Sequence, residues 1–336
     1  MKQLRLTTFA IAILIATAVT LAMPAQASAS AEGSFSRTLK VAGGTDVDVN
    51  VTTGSGNITV RTGAADTVQI YAHIHAGNDW SGLSAEEKVR RIEANPPIEQ
   101  MGSLIRIGRI EDHELRQNVA IDYELTVPAK TRLHSQTGSG DQKVSGIQAD
   151  VRVQTGSGNL TLSNIGLANS LTQLRAESGS GDIDVSNANG RMYVSTGSGN
   201  IRTSNVAGAF VGSSGSGDIR LDQTGAGEVK VETGSGNVVA KGVNGPLSVS
   251  TGSGDVEITG QQKGDWSLTA GSGNVRVHLN GEPSFDLDAH TSSGSIDVNF
   301  PVTMQGSFRK NELRGKVRNG GSLVKVRTGS GDIMFQ

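Results

Sequence analysis

The chain has 336 residues, with 30 Lys and Arg against 32 Asp and Glu, and is 35% hydrophobic and 4% aromatic, with 45 glycines and no cysteine. So even a charge balance excludes binding led by attraction to nucleic acid or to an anionic membrane surface. The missing cysteines exclude a disulfide framework and a lipidated N-terminal cysteine, and the scarcity of aromatics argues against a stacking platform for sugars.

Residues 1–27 read as a secretory signal peptide. Lys2 and Arg5 precede an apolar stretch at 9–23, and Ala25-Gln26-Ala27 offers a small-x-small cleavage site, with cleavage after Ala29 or Ala31 as alternatives. Cleavage removes both basic residues and leaves 28 basic against 32 acidic. No second apolar run is long enough to span a bilayer, so no transmembrane segment is expected after cleavage. The expected location is the periplasm, the cell surface or the medium.

Residues 33–132 read as a β-rich N-terminal capping region. Strands are expected at 35–41, 47–51 and 68–75. A short helix at about 84–94 starts on the Ser84-Ala85-Glu86-Glu87 capping arrangement, with Val89 and Ile92 as its apolar side, and stops at Asn95-Pro96-Pro97. Strands at 104–107 and 121–128 follow. His73 and His75 would share one strand face, a spacing that can chelate a metal. With no third ligand in the sequence, they read as exposed strand residues.

From Leu133 to the end the chain is a repeat. A phrase of the form Thr-Gly-Ser-Gly-Asp/Asn begins at Thr53, Thr137, Thr155, Ser178, Thr196, Ser214, Thr233, Thr251, Ala270, Thr291 and Thr328. From Thr137 to Thr291 the steps are 18, 23, 18, 18, 19, 18, 19 and 21 residues, a fixed period that means a solenoid. Apolar residues alternate on both sides of the phrase, as in Leu247 and Val249 before Thr251 and Val256 and Ile258 after it, which is the pattern of half-buried strands. The Gly pair reads as a sharp corner reached through positive φ.

The interior can be counted. Four residues before each phrase stand Val49, Leu133, Val151, Leu174, Met192, Phe210, Val229, Leu247, Trp266, Leu287 and Val324, all apolar. Five residues after each start, Gln142 is the one polar residue among apolar ones. A smaller column, Ile147, Ile165, Val206 and Val243, marks where the chain turns back. One coil is therefore about 18 residues, two short strands and two corners. A near-copy at Thr224 falls half a coil out of phase, which makes the two corners pseudo-equivalent. The long step after Thr155 holds a loop at 163–171. Between 300 and 322 the phrase is lost, read as a degenerate turn plus loop, and 328–336 is expected to finish the stack as its C-terminal cap.

The residue after the second glycine alternates without a break: Asp141, Asn159, Asp182, Asn200, Asp218, Asn237, Asp255, Asn274. Identical carboxylates stacked about 5 Å apart would repel by roughly 0.8 kcal/mol per pair in water and about 3 kcal/mol at an effective dielectric of 20. Interposed Asn separates the charges, so the column reads as a structural ladder. A duplicated unit of about 37 residues would give the same alternation by descent, and a single coil of that size would set Asp over Asp. Calcium in the manner of glycine-rich nonapeptide rolls is the less favoured alternative for the column, because Ile183, Ile219 and Val256 follow their aspartates directly, in the wrong register, and half the column is neutral.

Other candidates read blandly. Arg202 and Arg220 fall on adjacent coils and form a weak candidate for an anionic ligand, with solvation as the simpler reading. The outward Asp184, Glu257, Arg276 and Asp297 are scattered over many coils, without the paired carboxylates or the carboxylate–base cluster that polysaccharide cleavage needs. A serine repeated in nearly every phrase is a turn residue, since a nucleophile is singular. No catalytic, cofactor or metal residue is singled out.

The stretch Tyr123-Glu124-Leu125-Thr126-Val127-Pro128, the repeated Thr-Gly-Ser-Gly-Asp/Asn phrases and the closing Val324-Lys325-Val326-Arg327-Thr328-Gly329-Ser330-Gly331-Asp332-Ile333 resemble the DUF4097 family of bacterial β-strand-repeat proteins, which carries an adhesin label. The resemblance covers nearly all the mature chain. It implies a right-handed single-stranded β-solenoid, all-β apart from the short helix, and it brings no catalytic residues. The expected function is a non-catalytic exported scaffold for adhesion or cell-envelope interaction, without cofactor, whose partner is a glycan or protein of the envelope or surface. The alternative is a polysaccharide-binding or lyase-like β-helix protein.

Overall fold

The computed structural model describes residues 30–42, 46–79, 82–166, 172–304 and 309–336. The signal segment 1–27, part of the loop at 163–171, and Phe308 lie outside the described residues.

The chain is all-β, with two short helices among the described residues. Its N-terminal part comprises strands β1 (Ser30–Lys40), β2 (Val47–Thr53), β3 (Ile58–Thr62) and β4 (Thr67–Gly77), helix α1 (Ala85–Ala94), strands β5 (Ile98–Met101) and β6 (Leu104–Ile107), helix α2 (His113–Arg116) and strand β7 (Val119–Val127). β2 and β3 flank the Thr53 phrase and form the first coil. Beyond them, on the side away from the array, β6 pairs parallel with β2 and β7 parallel with β3. The pairing then turns antiparallel, β5 on β6 and β4 on β7, with β1 outermost on β4. Switching direction ends the parallel stack and leaves its open ladder covered. α1 starts where Ser84 accepts a hydrogen bond from the Glu87 N–H, and Val89 and Ile92 on it are buried.

Two parallel ladders carry the array. One pairs Val49 with Leu133, then runs through Val151, Leu174, Met192, Phe210, Val229, Leu247 and Trp266. The other runs from Ile58 through Gln142, Leu160, Ile183, Ile201, Ile219, Val238, Val256 and Val275. Both lines are buried from end to end. Gln142 is tolerated among them because its side-chain oxygen accepts from the Ser135 hydroxyl and its amide donates to the Gln154 carbonyl. The near-copy at Thr224 sits at the other corner, with Gly227 stacked between Gly208 and Gly245.

The second glycines of the phrases are not all demanded by positive φ: Gly254, Gly273, Gly294 and Gly331, at 146–157°, lie in that region, but Gly140, Gly158, Gly181, Gly199, Gly217 and Gly236 do not. They are demanded by coil-to-coil approach: a Cβ on Gly158 would lie 1.9 Å from the Gly140 carbonyl oxygen, and each neighbour repeats this contact. The phrase Thr or Ser completes the corner. Thr155 Oγ1 accepts from the Gly158 N–H and donates to the Gly140 carbonyl of the coil beneath.

The C-terminal strands also stack in an order other than the expected one. Val324 pairs with Trp266 on one side and Leu287 on the other, and Ile333 lies between Val275 and Ile296. The last phrase is thus inserted one coil in from the end. The outermost coil is formed by Phe285–Ser293 and Ile296–Val298, and Glu312–Val317 covers Phe285–Ser293 in antiparallel pairing. Glu312–Val317, with Val302–Met304 paired to it, supplies the end cover that 328–336 was expected to supply. Antiparallel strands thus lie at both ends of the stack, although in the outermost C-terminal coil they cover Phe285–Ser293 and, among the described residues, not Ile296–Val298.

Candidate functional site

The Asx column is a continuous hydrogen-bonded edge. Oδ1 of each residue accepts the backbone N–H of the corresponding residue on the next coil, over eleven bonds of 2.6–3.0 Å among the described residues. In space the order is Asp122, Asn57, Asp141, Asn159, Asp182, Asn200, Asp218, Asn237, Asp255, Asn274, Asp332, Ser295. Asn200, Asn237 and Asn274 add a side-chain N–H to the carboxylate below at 3.2–3.3 Å. Backbone donation from Asn200, then the Arg202 guanidinium, holds the Asp182 carboxyl below the usual carboxylate range. The Asn274 N–H does the same for Asp255, and the Ser295 N–H and hydroxyl for Asp332.

The second carboxylate oxygen takes a cation. Arg202 donates to Asp182 Oδ2 at 2.8 Å, Arg220 to Asp218 Oδ2 at 3.1 Å, and Arg276 to Asp255 Oδ2 at 3.3 Å. Arg202 and Arg220 are in register on adjacent coils, but each guanidinium is turned to a carboxylate of the column rather than held free for an anion. Pairing with Asp182 pushes the Arg202 pKa up.

At the N-terminal end, β1, β4 and β7 lay side by side Glu32, His73 with His75, and Asp122. Register places His75 opposite Glu32 and His73 opposite Asp122. His75 Nε2 lies 3.2 Å from Asp122 Oδ2, and the two imidazole rings are 4.3 Å apart. Glu32 and His75 also line a cavity of about 1100 Å³ that includes Gly108, Ile121 and Tyr123. The Tyr123 hydroxyl is buried without a hydrogen-bond partner among the described residues, and desolvation pushes its pKa up. Nearby, the fully buried Lys88 donates to Asp79 at 2.6 Å and to the carbonyls of Gln117 and Gly77 at 2.8 and 3.1 Å. Its donation holds the Asp79 carboxyl below the ordinary range.

A family profile described as Toastrack DUF4097 matches residues 114–206 and 168–335. The chain belongs to this family. No curated protein matches it. Among solved structures, the Toastrack chain is similar to a "putative cell adhesion protein" from Clostridium sporogenes ATCC 15579, at 12% identity over 91% of this chain and 99% of that one, with a TM-score of 0.21. It is also similar to a "putative adhesin" from Bacteroides fragilis NCTC 9343, at 11% identity over 90% and 97%, TM-score 0.29. A third is a "putative lipid binding protein" from Parabacteroides distasonis ATCC 8503, at 11% over 90% and 96%, TM-score 0.31.

Sequence reasoning missed three parts of this Toastrack chain. Asp122 belongs to no phrase, yet it is the first rung of the column and the group facing both histidines. The Lys88–Asp79 pair gave no signal beyond a helical lysine. At the second corner, Asn164, Asn187 and Asn205 adopt left-handed φ of 58°, 52° and 54° and form their own stack, with amide donation from Asn187 to Asn164 at 3.2 Å and from Asn205 to Asn187 at 2.7 Å. A Ser-Asn pair just before Ile165, Ala188 and Val206 was the available sign, since Asn tolerates this conformation best after Gly.

Proposed function

We propose that this protein is an exported, non-catalytic scaffold that engages a ligand of the cell envelope or surface in adhesion, built as a right-handed β-solenoid of about 18 residues per coil. The observation that carries the reading is the unbroken edge from Asp122 to Ser295, with bonds of 2.6–3.0 Å. Residues that repeat at every coil build a long, regular, polar surface, suited to an extended partner rather than to a small substrate. The signal-like segment 1–27 supports export. The test fractionates producing cells into cytoplasm, periplasm, membranes and medium, then measures binding of the purified mature chain to intact cells and to isolated envelope. Recovery in the cytoplasm, or no binding to either preparation, overturns the proposal.

A second reading, binding of an anionic polysaccharide, rests on one row: His134, Arg152, Arg175 and the exposed Tyr193 stand in register on consecutive coils, with Arg152 and Arg175 sharing Glu177 as a carboxylate partner that the ligand would have to displace. Slower migration in gels containing alginate but not dextran would support it. A rise in reducing ends during the same incubation would instead indicate cleavage.

A further inference from the structure

The geometry points to a divalent transition-metal site on the outer face of the N-terminal sheet, held by His73, His75 and Asp122 with Glu32 closing over them. His73 and His75 are two residues apart on β4 and share a face, and the strands on either side bring the other two groups to the same place. One ligand atom from each of His73, His75 and Asp122 lies within 4.8 Å of the others. A tetrahedral ion with bonds near 2.0–2.1 Å needs its ligands roughly 3.3 Å apart, so side-chain rotation closes the site without moving the strands. Glu32 is already poised, its oxygens 3.8 Å from His73 Nε2 and 3.7 Å from His75 Nδ1.

The donor set chooses the class of ion. Two imidazoles with carboxylate oxygen suit zinc, cobalt, nickel or copper, whereas calcium and magnesium prefer oxygen alone. Asp122 is oriented from behind: its Oδ1 accepts the Asn57 N–H at 2.6 Å, which leaves Oδ2 on the histidine side. Such outer hydrogen bonds fix a ligand's direction and raise its affinity. A bound ion would tie β1, the outermost strand, to β4 and β7 in a chain without cysteine, and would sit at the rim of the cavity that Glu32 and His75 line. The site does not depend on the adhesion reading.

The test uses the mature chain without a purification tag, stripped of metal and titrated with Co²⁺ and then Zn²⁺ by calorimetry and visible absorption. One equivalent of Co²⁺ with intense tetrahedral bands, displaced by Zn²⁺, is expected, together with a zinc-dependent rise in melting temperature. His73→Ala, His75→Ala and Asp122→Asn should each weaken binding at least about tenfold. Asp122→Asn keeps an acceptor for Asn57, and His73→Ala spares the His75–Asp122 contact, so melting of the metal-free variants shows whether the fold is intact. Absence of stoichiometric binding overturns the proposal. So does binding that is unchanged in folded variants, or Ca²⁺ binding as tightly as Zn²⁺.

Discussion

Asn237→Asp tests the physical purpose of the column. Asn237 lies between Asp218 and Asp255, donates its backbone and side-chain N–H groups to Asp218, and accepts the Asp255 N–H at 2.9 Å. The substitution removes one donor, worth about 0.5–1.5 kcal/mol, and creates two like-charge contacts at about 5 Å. The flanking carboxylates are 28% and 46% exposed, so each contact falls near the aqueous end of the Coulomb range, about 1 kcal/mol. The expected loss at neutral pH is about 2.5–3.5 kcal/mol, a melting decrease of roughly 2–4 °C per kcal/mol. The sign with pH follows from the charge. A carboxyl between two carboxylates has its folded pKa raised above the unfolded value of about 3.9, so the repulsion is absent below that value and complete only above the raised one. The deficit relative to the parent chain should therefore shrink at about pH 3, where the protonated carboxyl also regains an O–H donor, and shrink at neutral pH when salt shortens the screening length to about 3 Å. Equal deficits at both pH values, or none at neutral pH, refute the reasoning.

Gly158→Ala should cost about 3 kcal/mol or more in chemical denaturation, because its Cβ would lie 1.9 Å from a carbonyl oxygen, while Gly54→Ala, with nothing within 4 Å, should stay within about 1 kcal/mol. Acid should destabilise the parent chain through Asp182, Asp255 and Asp332, whose pKa values are lowered on folding. Their contribution is present above the unfolded value of about 3.9 and lost as pH falls through the lower folded values. A melting series down to about pH 2 should be flatter for Asp182→Asn, which retains the acceptor for Asn200. Lys88→Met removes the buried cation from Asp79, which keeps only the Asn118 amide donor, and from the Gln117 and Gly77 carbonyls, and should cost about 3–5 kcal/mol, read as a lowered melting temperature.

Legibility followed the range of the interactions. The apolar columns from Val49 to Val324 and the Ser84 cap are set within a few residues, so spacing alone displayed them. The glycine rule was visible but its cause was not, because the atom that excludes a Cβ from Gly158 belongs to Gly140, one coil away. Spacing also placed His73 and His75 together, but their carboxylate partners come from strands whose pairing partner and register depend on the tertiary fold. Lys88 is buried by what α1 packs against rather than by anything in its helical neighbourhood.

The order of the last coils bears on why the column alternates. Descent from a duplicated 37-residue unit would preserve alternation between neighbours in sequence. A 37-residue coil would bring Asp over Asp, yet Asp182 lies on Asn159 and under Asn200. At the C-terminal end, Asn274 is followed in sequence by Ser295 and then Asp332, but in space Asp332 is inserted directly on Asn274, with Ser295 beyond it. At the other end the rung beneath Asn57 is Asp122, which lies in no phrase and reaches the column by way of the capping region. Charged and neutral side chains therefore alternate between spatial neighbours even where sequence order and repeat membership both fail. Copying a repeat does not supply that, whereas avoidance of carboxylates stacked at strand spacing does, because it acts on whatever residue is one coil away.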